Sequence, residues 1–441
     1  MFTPAKILSA MSNTATKTMA ADLSRQLAAK AASYHLNAYD ETPLNTRDIP
    51  QDRLDLANKT RCNIFPWRGQ FSPELVDLLL SHYAGAGDLI LDPFAGVGTT
   101  LFEAARRSLP AVGVEINPAA FCMASTVVFL ARSEPERKRA CEAAARLLRT
   151  LCGPDLPLWA QKSIAAQSPS DALVDLLRSN GRNNLISNVL LNTLIRLMES
   201  ADPVDPNQAV AALRQHESIV MGLPVSSARC EVFHADARAM PVEAQTADLV
   251  ITSPPYINVF NYHQNCRRAM EMMGWDLLGV AKSEFGANRK HRANRFLTVI
   301  QYCLDMAMAL TEIKRVLKPS GRAIFIMGRV SSVRGLSFRN GRLVGALATE
   351  AGFNLTTRQE RKFTNKFGEL IYEDILHLTL DPIRKAKVLD SEPRGLAVHL
   401  LDEAQGCKLK GDVAADIRDA IATAEEVNPS PVFKWEDCIT P

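Results

Sequence analysis

The chain has 441 residues, which is enough for one large or two ordinary domains with a full hydrophobic core. Its net charge of +3 at pH 7 is too small to indicate nucleic-acid binding by itself, so any basic surface has to be local. The nine cysteines form no C-x-x-C pair and no Cys/His cluster at zinc spacing, which argues against a disulfide framework and a metal site and favours a reducing cytoplasm. No apolar stretch reaches the roughly 18 residues that a membrane span needs, so no membrane partner is expected.

Strand-like and helix-like segments alternate along most of the chain, a pattern typical of an α/β fold with a parallel sheet covered by helices. Gly352 is expected to end a helix in the left-handed conformation. The predicted strands are Leu89–Asp92, Ala111–Glu115, Glu231–His234, Ala247–Thr252, Arg322–Met327, Asn354–Arg361 and Glu373–Leu380. The predicted helices among them are Glu74–Leu80, Thr99–Arg107, Pro118–Ala131, Phe296–Leu317 and Arg342–Ala351.

The alternation is interrupted after Ser133, which with Glu136 forms a capping-box signal for a helix start. Several helical segments follow without a strand between them, and we interpret them as a helical insertion. We therefore expect an N-terminal extension (1–45), a cofactor-binding first half of the sheet domain (46–132), the insertion (133–225), a catalytic second half (226–382) and a peripheral C-terminal appendage (383–441).

A glycine-rich turn follows the first predicted strand and opens a helix. Its glycines allow the backbone to approach a ligand closely and to turn sharply. Glu115 ends the second strand about twenty residues later, where a carboxylate can bind ribose hydroxyls. Asp236 ends the third strand and could accept a hydrogen bond from an adenine amino group. Each acid alone could be a helix cap, but Asp92, Glu115 and Asp236 at three strand ends favour a nucleoside cofactor.

The tetrapeptide Ser253-Pro254-Pro255-Tyr256 follows the fourth predicted strand. Prolines stiffen the backbone and carry no N–H to pair with its carbonyls. The tyrosine ring can stack on a planar base, and the serine hydroxyl and the Pro254 carbonyl can hold the hydrogens of an amino group. This set suits methyl transfer to an exocyclic amino nitrogen of a base that is flipped out of the duplex. Methylation of a ring carbon would need a thiolate, and the tetrapeptide contains no cysteine.

Together these motifs resemble the S-adenosylmethionine-dependent DNA amino-methyltransferases of the N4-cytosine and N6-adenine type, over about residues 60–130 and 226–380. The resemblance implies a Rossmann-like methyltransferase fold, with a seven-stranded, mostly parallel sheet whose last strand is antiparallel, and S-adenosylmethionine as cofactor with no metal. The helical insertion departs from the family's common layouts. Phe65–Pro73 resembles the family's additional cofactor segment. The implied cofactor-binding residues are Phe65, Phe71, Asp92, Pro93, Phe94, Gly96, Gly98, Thr99, Thr100, Glu115, Ile116, Asp236 and Ala237.

A basic stretch at about 257–295 is the candidate DNA-binding surface. Its predicted nucleic-acid contacts are Arg267, Arg268, Arg289, Lys290 and Arg292, and its interleaved aromatics Phe260, Tyr262, Trp275 and Phe285 could fill the gap left by an extruded base. The alternative interpretation, a solvated helical face with core aromatics, is equally open.

The resemblance implies double-stranded DNA as substrate, a cytoplasmic, nucleoid-associated location in a prokaryotic cell, and a cognate restriction endonuclease as candidate partner. Cytosine N4 is preferred over adenine N6, because serine at the first tetrapeptide position is commoner among the cytosine enzymes. A guanine-N2 RNA methyltransferase is the runner-up, although such enzymes usually carry an upstream RNA-binding domain, for which little room is left here. Protein-glutamine methyltransferases, which resemble Asn-Pro-Pro-Tyr, and a non-catalytic nucleic-acid-binding subunit are further alternatives.

Overall fold

The computed structural model describes residues 36–56, 61–67, 69–152, 169–179, 184–200, 206–257, 262–286, 291, 293–365, 368–383, 391–405 and 411–434. Most of the predicted N-terminal extension, residues 1–35, lies outside this part of the chain. The strands in the described residues are β1 (Ile90–Asp92), β2 (Ala111–Glu115), β3 (Cys230–His234), β4 (Ala247–Thr252), β5 (Leu317–Gly328), β6 (Val330–Val333), β7 (Leu336–Arg339), β8 (Phe353–Thr364) and β9 (Leu370–Leu380).

Seven of these strands form one sheet in the order β3-β2-β1-β4-β5-β9-β8. The first five pair in parallel, and β9 is antiparallel to both β5 and β8. This confirms the predicted seven-stranded, mostly parallel sheet with an antiparallel last strand. Strands β6 and β7 form a separate two-stranded hairpin that was not predicted. Its turn residues Arg334 and Gly335 both have positive φ, 50° and 86°, as a two-residue hairpin turn of type I′ requires.

Helices alternate with the strands and cover both faces of the sheet. Gly352 has φ of 90° just after the helix Asn340–Glu350, which confirms the predicted left-handed helix end. The helices are α1 (Gln51–Asp55), α2 (Pro73–Tyr83), α3 (Thr99–Arg106), α4 (Pro118–Ala124), α5 (Glu134–Cys152), α6 (Pro169–Ser179), α7 (Leu185–Ser200), α8 (Pro206–Gly222), α9 (Arg267–Met272), α10 (Leu277–Ser283), α11 (Leu297–Val316), α12 (Asn340–Glu350), α13 (Ser391–Gln405) and α14 (Gly411–Ala422).

Successive strand residues face opposite sides of the sheet, and each side has its own hydrophobic core. Ile90, Leu249 and Ile324 belong to the core that includes residues of α2, α3 and the inserted helices. Leu91 and Val250 belong to the core on the other side, formed with α11, α12 and the C-terminal helices. The cofactor loop and the tetrapeptide, which follow β1 and β4, therefore start from strands that are buried on both faces.

The inserted helices α5–α8 pack on one another, and α7 packs on α4. The Ser133 amide donates to the Glu136 carboxylate at 2.9 Å, just before the first residue of α5, as the capping-box pattern indicates. In α7, Asn192 Nδ2 donates to the carbonyl of Cys122 in α4 at 3.1 Å. The His216 ring of α8 stacks on Phe65 of the predicted cofactor segment, with 6.1 Å between centroids. The insertion thus supports the cofactor side of the sheet.

The C-terminal segment is not peripheral, so that expectation is wrong. Helix α13 packs against α11, and Leu396, Leu401, Ile417 and Val427 are buried members of the second core. The charged positions between them made the segment look like a surface appendage, although its apolar residues recur at helical spacing. The domain boundaries themselves stay a prediction. No helix of the described part combines the length and the apolar character that crossing a membrane requires.

Candidate active site

A cleft of about 1180 Å³, partly open to solvent, lies where β1, β2, β3 and β4 end. Such crevices at the carboxyl ends of parallel strands are the usual ligand sites of open α/β sheets. Residues predicted from separate motifs line this one cleft: Phe71, Pro93, Phe94, Gly96, Thr99, Glu115, Ile116, Asp236, Ala237, Ser253, Pro255 and Tyr256. The predicted site residues Phe65, Asp92, Gly98, Thr100 and Pro254 do not line it.

The loop between β1 and α3 forms the floor of the cleft. Gly96 and Gly98 have positive φ, 53° and 89°, a backbone conformation that favours glycine. At Gly98 a Cβ atom would also lie 3.3 Å from the Cα of Ala124, so a side chain here would require the α4 backbone to shift by a few tenths of an ångström. The two glycines therefore turn the chain from strand to helix beneath the ligand space, as the motif predicts.

Asp92 lies behind this loop and holds it together. Its Oδ1 accepts from the Phe94 amide at 3.1 Å and from the Thr252 hydroxyl at 2.6 Å, and its Oδ2 accepts from the Thr100 hydroxyl at 2.6 Å. Burial raises the pKa of Asp92 to about 6, although the hydrogen bonds from Thr100, Thr252 and Phe94 oppose this. Asp92 and Thr100 thus shape the cleft from outside it, and their direct contact with a cofactor stays a prediction.

Glu115, at the end of β2, presents a carboxylate to the cleft. The Gly96 amide donates to Oε2 at 2.7 Å and the Asn117 amide donates to Oε1 at 2.6 Å. A carboxylate oxygen can accept two hydrogen bonds, so each oxygen can take one more. Burial raises the pKa of Glu115 to about 7, and the two amide hydrogen bonds only partly offset that effect. The arrangement fits two ribose hydroxyls, one on each oxygen.

Asp236 is held differently from what its predicted role requires. Its Oδ1 accepts from the amide and Nε of Arg238, both at 2.9 Å, and its Oδ2 accepts from Arg238 Nη2 at 2.6 Å and from the Phe433 amide at 2.9 Å. Both oxygens thus already accept two hydrogen bonds each. The predicted bond from an adenine amino group therefore stays a prediction that this geometry does not support. Sequence analysis missed Arg238, although it is two residues from Asp236.

The tetrapeptide is fixed from two sides. Tyr302 of α11 donates its hydroxyl to the Pro255 carbonyl at 3.0 Å, and the Ser253 and Tyr256 hydroxyls lie 3.3 Å apart. Burial raises the pKa of Tyr256 to about 12, so the phenol is neutral at physiological pH. Pro254 is buried and does not line the cleft, so the role assigned to its carbonyl stays a prediction.

The Tyr256 ring lies against Gly328, at the end of β5. A Cβ atom at position 328 would lie 3.3 Å from Tyr256 Cε2. Glycine at this position therefore makes room for the ring. Sequence analysis missed Gly328, because a glycine that ends a strand usually marks no more than a turn.

Both ends of the segment 262–286, Tyr262 and residues 283–286, cover part of the cleft. The Asn117 side chain donates to the Tyr262 carbonyl at 3.0 Å, and the Phe285 ring meets Phe94 edge-on with centroids 5.4 Å apart. The Glu284 carboxylate accepts from the His263 amide at 2.7 Å and lies 2.9 Å from His263 Nδ1. Tyr262, Glu284 and Phe285 line the cleft, and none of them was predicted there.

These positions bear on the predicted DNA-binding stretch. Trp275 is buried against His234, as the alternative interpretation expects of a core aromatic. Tyr262 and Phe285 line the cleft, and their filling a gap in a duplex stays a prediction. Arg267 pairs with Glu271 one helical turn away, at 2.7 Å, and Arg268 is exposed. Arg289, Lys290, Arg292 and Phe260 lie outside the described residues. Among the described residues, no three His, Cys, Asp or Glu side chains are grouped so as to hold a metal ion.

Residues 37–125 match the sequence profile of a family described as DNA methylase, the N6_N4_Mtase family. The chain is 36% identical over 73 residues to the Type II methyltransferase M.MjaII of Methanocaldococcus jannaschii. That alignment covers 16% of this chain and 14% of M.MjaII, so the chain spans only a small part of this curated relative.

Two solved structures are also similar. An S-adenosylmethionine-dependent methyltransferase of Methanosarcina mazei has 12% identity and a TM-score of 0.31, over 69% of this chain and 97% of that one. A TehB-like S-adenosylmethionine-dependent methyltransferase of Corynebacterium glutamicum has 12% identity and a TM-score of 0.28, over 69% and 87%. The strand order described above is that of the Rossmann-like methyltransferase fold, as predicted. The cofactor loop and Glu115 lie within residues 37–125, the part of the chain that matches the DNA methylase profile.

Proposed function

We propose that the protein is a DNA methyltransferase that uses S-adenosylmethionine to methylate an exocyclic amino group of a flipped base, with cytosine N4 preferred. One observation carries the proposal. Ser253 and Tyr256 line the same cleft as Gly96 and Glu115, although these residues come from different motifs. A methyl donor and an acceptor base therefore have room to meet at one edge of the sheet.

The cleft fits the adenosine end of the cofactor. Glu115 has one acceptor position left on each oxygen for the ribose hydroxyls. Phe94, Ile116 and Phe285 line the cleft with apolar surface that suits an adenine ring. When bound, S-adenosylmethionine supplies a methyl group activated by a positively charged sulfur. We assign the other end of the cofactor to the side of Phe71, in the segment that resembles the family's additional cofactor segment.

The residues of the chain would prepare the acceptor nitrogen. The lone pair of an exocyclic amino group is delocalised into the base, so this nitrogen is a weak nucleophile. Ser253 Oγ can accept one amino hydrogen, and in doing so it localises the lone pair on the nitrogen. Stacking on Tyr256 fixes the base, and the orientation of the two reactants contributes much of the rate in such a displacement. Tyr256 acts as a neutral ring, in keeping with its raised pKa.

DNA as the substrate is supported by the match to the DNA methylase family and by the Type II methyltransferase among the relatives. Extruding a base costs a few kcal/mol, which contacts to the phosphate backbone have to offset. We assign part of these contacts to Arg268 and the basic residues after it. The preference for cytosine rests on Ser253. The cellular setting that follows is the nucleoid of a prokaryotic cell, with a cognate restriction endonuclease as candidate partner.

The experiment incubates the purified protein and methyl-labelled S-adenosylmethionine with unmethylated duplex DNA and, separately, with RNA. Digestion to nucleosides and mass spectrometry then identify the product. We expect N4-methyldeoxycytidine, and loss of the product in Ser253→Ala, the matched variant. N6-methyldeoxyadenosine would overturn the base preference alone. Label only in RNA would overturn the substrate class, and cofactor binding without transfer to either nucleic acid would favour a non-catalytic subunit.

A further inference from the structure

The last described residues of the chain, 428–434, cross the cofactor side of the sheet, and we call them the C-terminal strap. Ser430 and Phe433 in the strap are buried, with 2% and 6% of their surface exposed. The Gln301 side chain of α11 donates to the Asn428 carbonyl at 3.1 Å, where the strap begins. Ser430 and Phe433 thus anchor the strap in the fold next to the cleft, whereas Asn428, Pro431 and Lys434 are exposed.

Arg238 ties the strap to the cleft. Its side chain is completely buried and forms ion pairs with Asp236 at 2.6 Å and with Asp305 of α11 at 2.8 Å. The same guanidinium donates to the carbonyls of Ser430 at 2.8 Å and Pro431 at 2.9 Å. Burying a charged group costs free energy unless the group is paired and hydrogen-bonded. The ion pairs and hydrogen bonds of the Arg238 guanidinium therefore depend on one another.

The strap also contacts residues of the cleft wall directly. The Phe433 amide donates to Asp236 Oδ2 at 2.9 Å, and Ser430 Oγ lies 3.1 Å from the Glu284 carbonyl. Ser430 Oγ is in addition 2.8 Å from Asp305 Oδ2. Asp236 and Glu284 both line the cleft, although they belong to different segments of the chain. One short segment therefore joins the third strand end to the covering segment 262–286.

A third set of contacts connects Phe433 of the strap, through His234, to Ile116, the residue after Glu115. The Phe433 ring packs edge-on against His234, with 4.8 Å between centroids, and His234 Nε2 lies 2.8 Å from the Ile116 carbonyl. Ile116 lines the cleft. Burial lowers the pKa of His234 to about 4, so the imidazole is neutral at physiological pH and donates one hydrogen bond to that carbonyl.

From these contacts we propose that the C-terminal strap is part of the cofactor site: Ser430 and Phe433 are positioning residues that hold the adenosine end of the cleft in shape. Docking of the strap and binding of the nucleoside then stabilise each other. This inference rests on the proposed function, because it takes the ligand to be S-adenosylmethionine. Coupling of this kind is reciprocal: loss of strap contacts should weaken nucleoside binding, and nucleoside binding should stabilise the docked strap.

The test measures, by calorimetry, the binding of S-adenosylmethionine and of 5′-methylthioadenosine, which lacks the amino-acid part. The variants are Ser430→Ala, which removes the hydroxyl that reaches Asp305 and Glu284, and Phe433→Ala. Both should weaken the binding of both ligands by roughly 5- to 150-fold, the usual range for coupled sites. Ser430→Thr keeps a hydroxyl and should bind nearly as the wild type does.

Leu401→Ala is the matched control for stability. Leu401 is a fully buried residue of α13 that contributes to the second core and does not line the cleft. This variant should lower the melting temperature and leave both dissociation constants unchanged. If the strap variants bind both ligands as tightly as wild type, or weaken only as much as Leu401→Ala does, the inference is overturned.

A second measurement uses the wild-type protein alone, in case a strap variant does not fold. Hydrogen exchange of the strap peptide, which contains the bonded amides of Ser430 and Phe433, should slow when 5′-methylthioadenosine is added, and that of α14 should not. Unchanged exchange in the strap with bound ligand would overturn the inference. If the wild type binds neither ligand, the proposed function fails and this inference with it, which is a distinct outcome.

Discussion

The hydroxyl of Thr252 donates to Oδ1 of Asp92 at 2.6 Å, and this bond joins the last residue of β4 to the last residue of β1. Ser253 follows the donor directly, and the glycine-rich loop follows the acceptor. The tetrapeptide and the cofactor loop are therefore held in register by one buried hydrogen bond, in addition to the sheet itself.

Thr252→Val keeps the shape of the side chain and removes this bond. Because the acceptor is a buried carboxylate, the free energy of unfolding should fall by about 1.5–3 kcal/mol. Denaturant titration followed by fluorescence measures the change. Thr246→Val is the control, since the Thr246 hydroxyl donates at the surface to the Glu243 carbonyl and its loss should change stability by less than about 0.5 kcal/mol. Equal stabilities for wild type and Thr252→Val would contradict the role given to the bond.

The raised pKa of Glu115 predicts a pH dependence of stability in the absence of cofactor. The folded protein binds this proton more tightly than the unfolded chain does, with a pKa of about 7 against 4.5, because the carboxyl group is buried. The contribution of Glu115 is therefore fully present below pH 4.5 and is lost as the pH rises through about 7. The loss is on the order of 3 kcal/mol.

Glu115→Gln does not titrate and is the matched variant for this prediction. The difference in unfolding free energy between wild type and Glu115→Gln should shift against the wild type between pH 5 and pH 8. Asp92 titrates in both proteins, so only its electrostatic interaction with Glu115 enters the difference. A difference that does not change with pH would show that Glu115 is not buried as described.

Gly328→Ala should impair turnover without impairing the fold. The added methyl group would lie 3.3 Å from Tyr256 Cε2, so the ring has to move by a few tenths of an ångström. We expect a fall in kcat with an unchanged dissociation constant for S-adenosylmethionine, because displacing a positioned group weakens the reaction step. Gly345→Ala in α12 is the control: the nearest atom would lie at 3.6 Å, an ordinary contact, and activity should be unaffected. A kcat for Gly328→Ala equal to that of the control would mean that the ring position is not limiting.

Two substitutions of Tyr256 separate its ring from its hydroxyl. Tyr256→Phe keeps the ring and loses the 3.3 Å contact with Ser253 and the hydrogen bond with the Gly328 backbone, so most activity should remain. Tyr256→Ala removes the stacking surface, which is worth roughly 1–3 kcal/mol per base, and kcat/KM for DNA should fall by the corresponding factor. Cofactor affinity should survive both changes. If Tyr256→Phe loses as much activity as Tyr256→Ala, the hydroxyl has a chemical role that stacking does not explain.

The predicted residues that line the cleft are those whose positions local patterns encode. A strand, a glycine turn and a helix place Gly96, and the acid that ends β2 places Glu115, because parallel strands end at the same edge. The hairpin of β6 and β7 escaped prediction, since its turn is Arg334-Gly335 and not the Asn-Gly or Asp-Gly pair that usually marks a type I′ turn.

The parts that were missed depend on contacts between distant residues. Arg238 reads as an ordinary arginine until Asp305 and Ser430, which are 67 and 192 residues away in the chain, are placed around it. The strap looked like the end of a charged surface segment for the same reason. Local sequence spacing does not predict such pairs, because only the topology of the folded sheet brings the residues together.

The most direct test of the central claim is a crystal structure of the protein with S-adenosylhomocysteine, the demethylated product. We expect the ribose hydroxyls to lie on the Glu115 carboxylate and the sulfur to face the turn that carries Ser253 and Tyr256. A nucleoside bound outside this cleft, or a sulfur directed away from Tyr256, would contradict it.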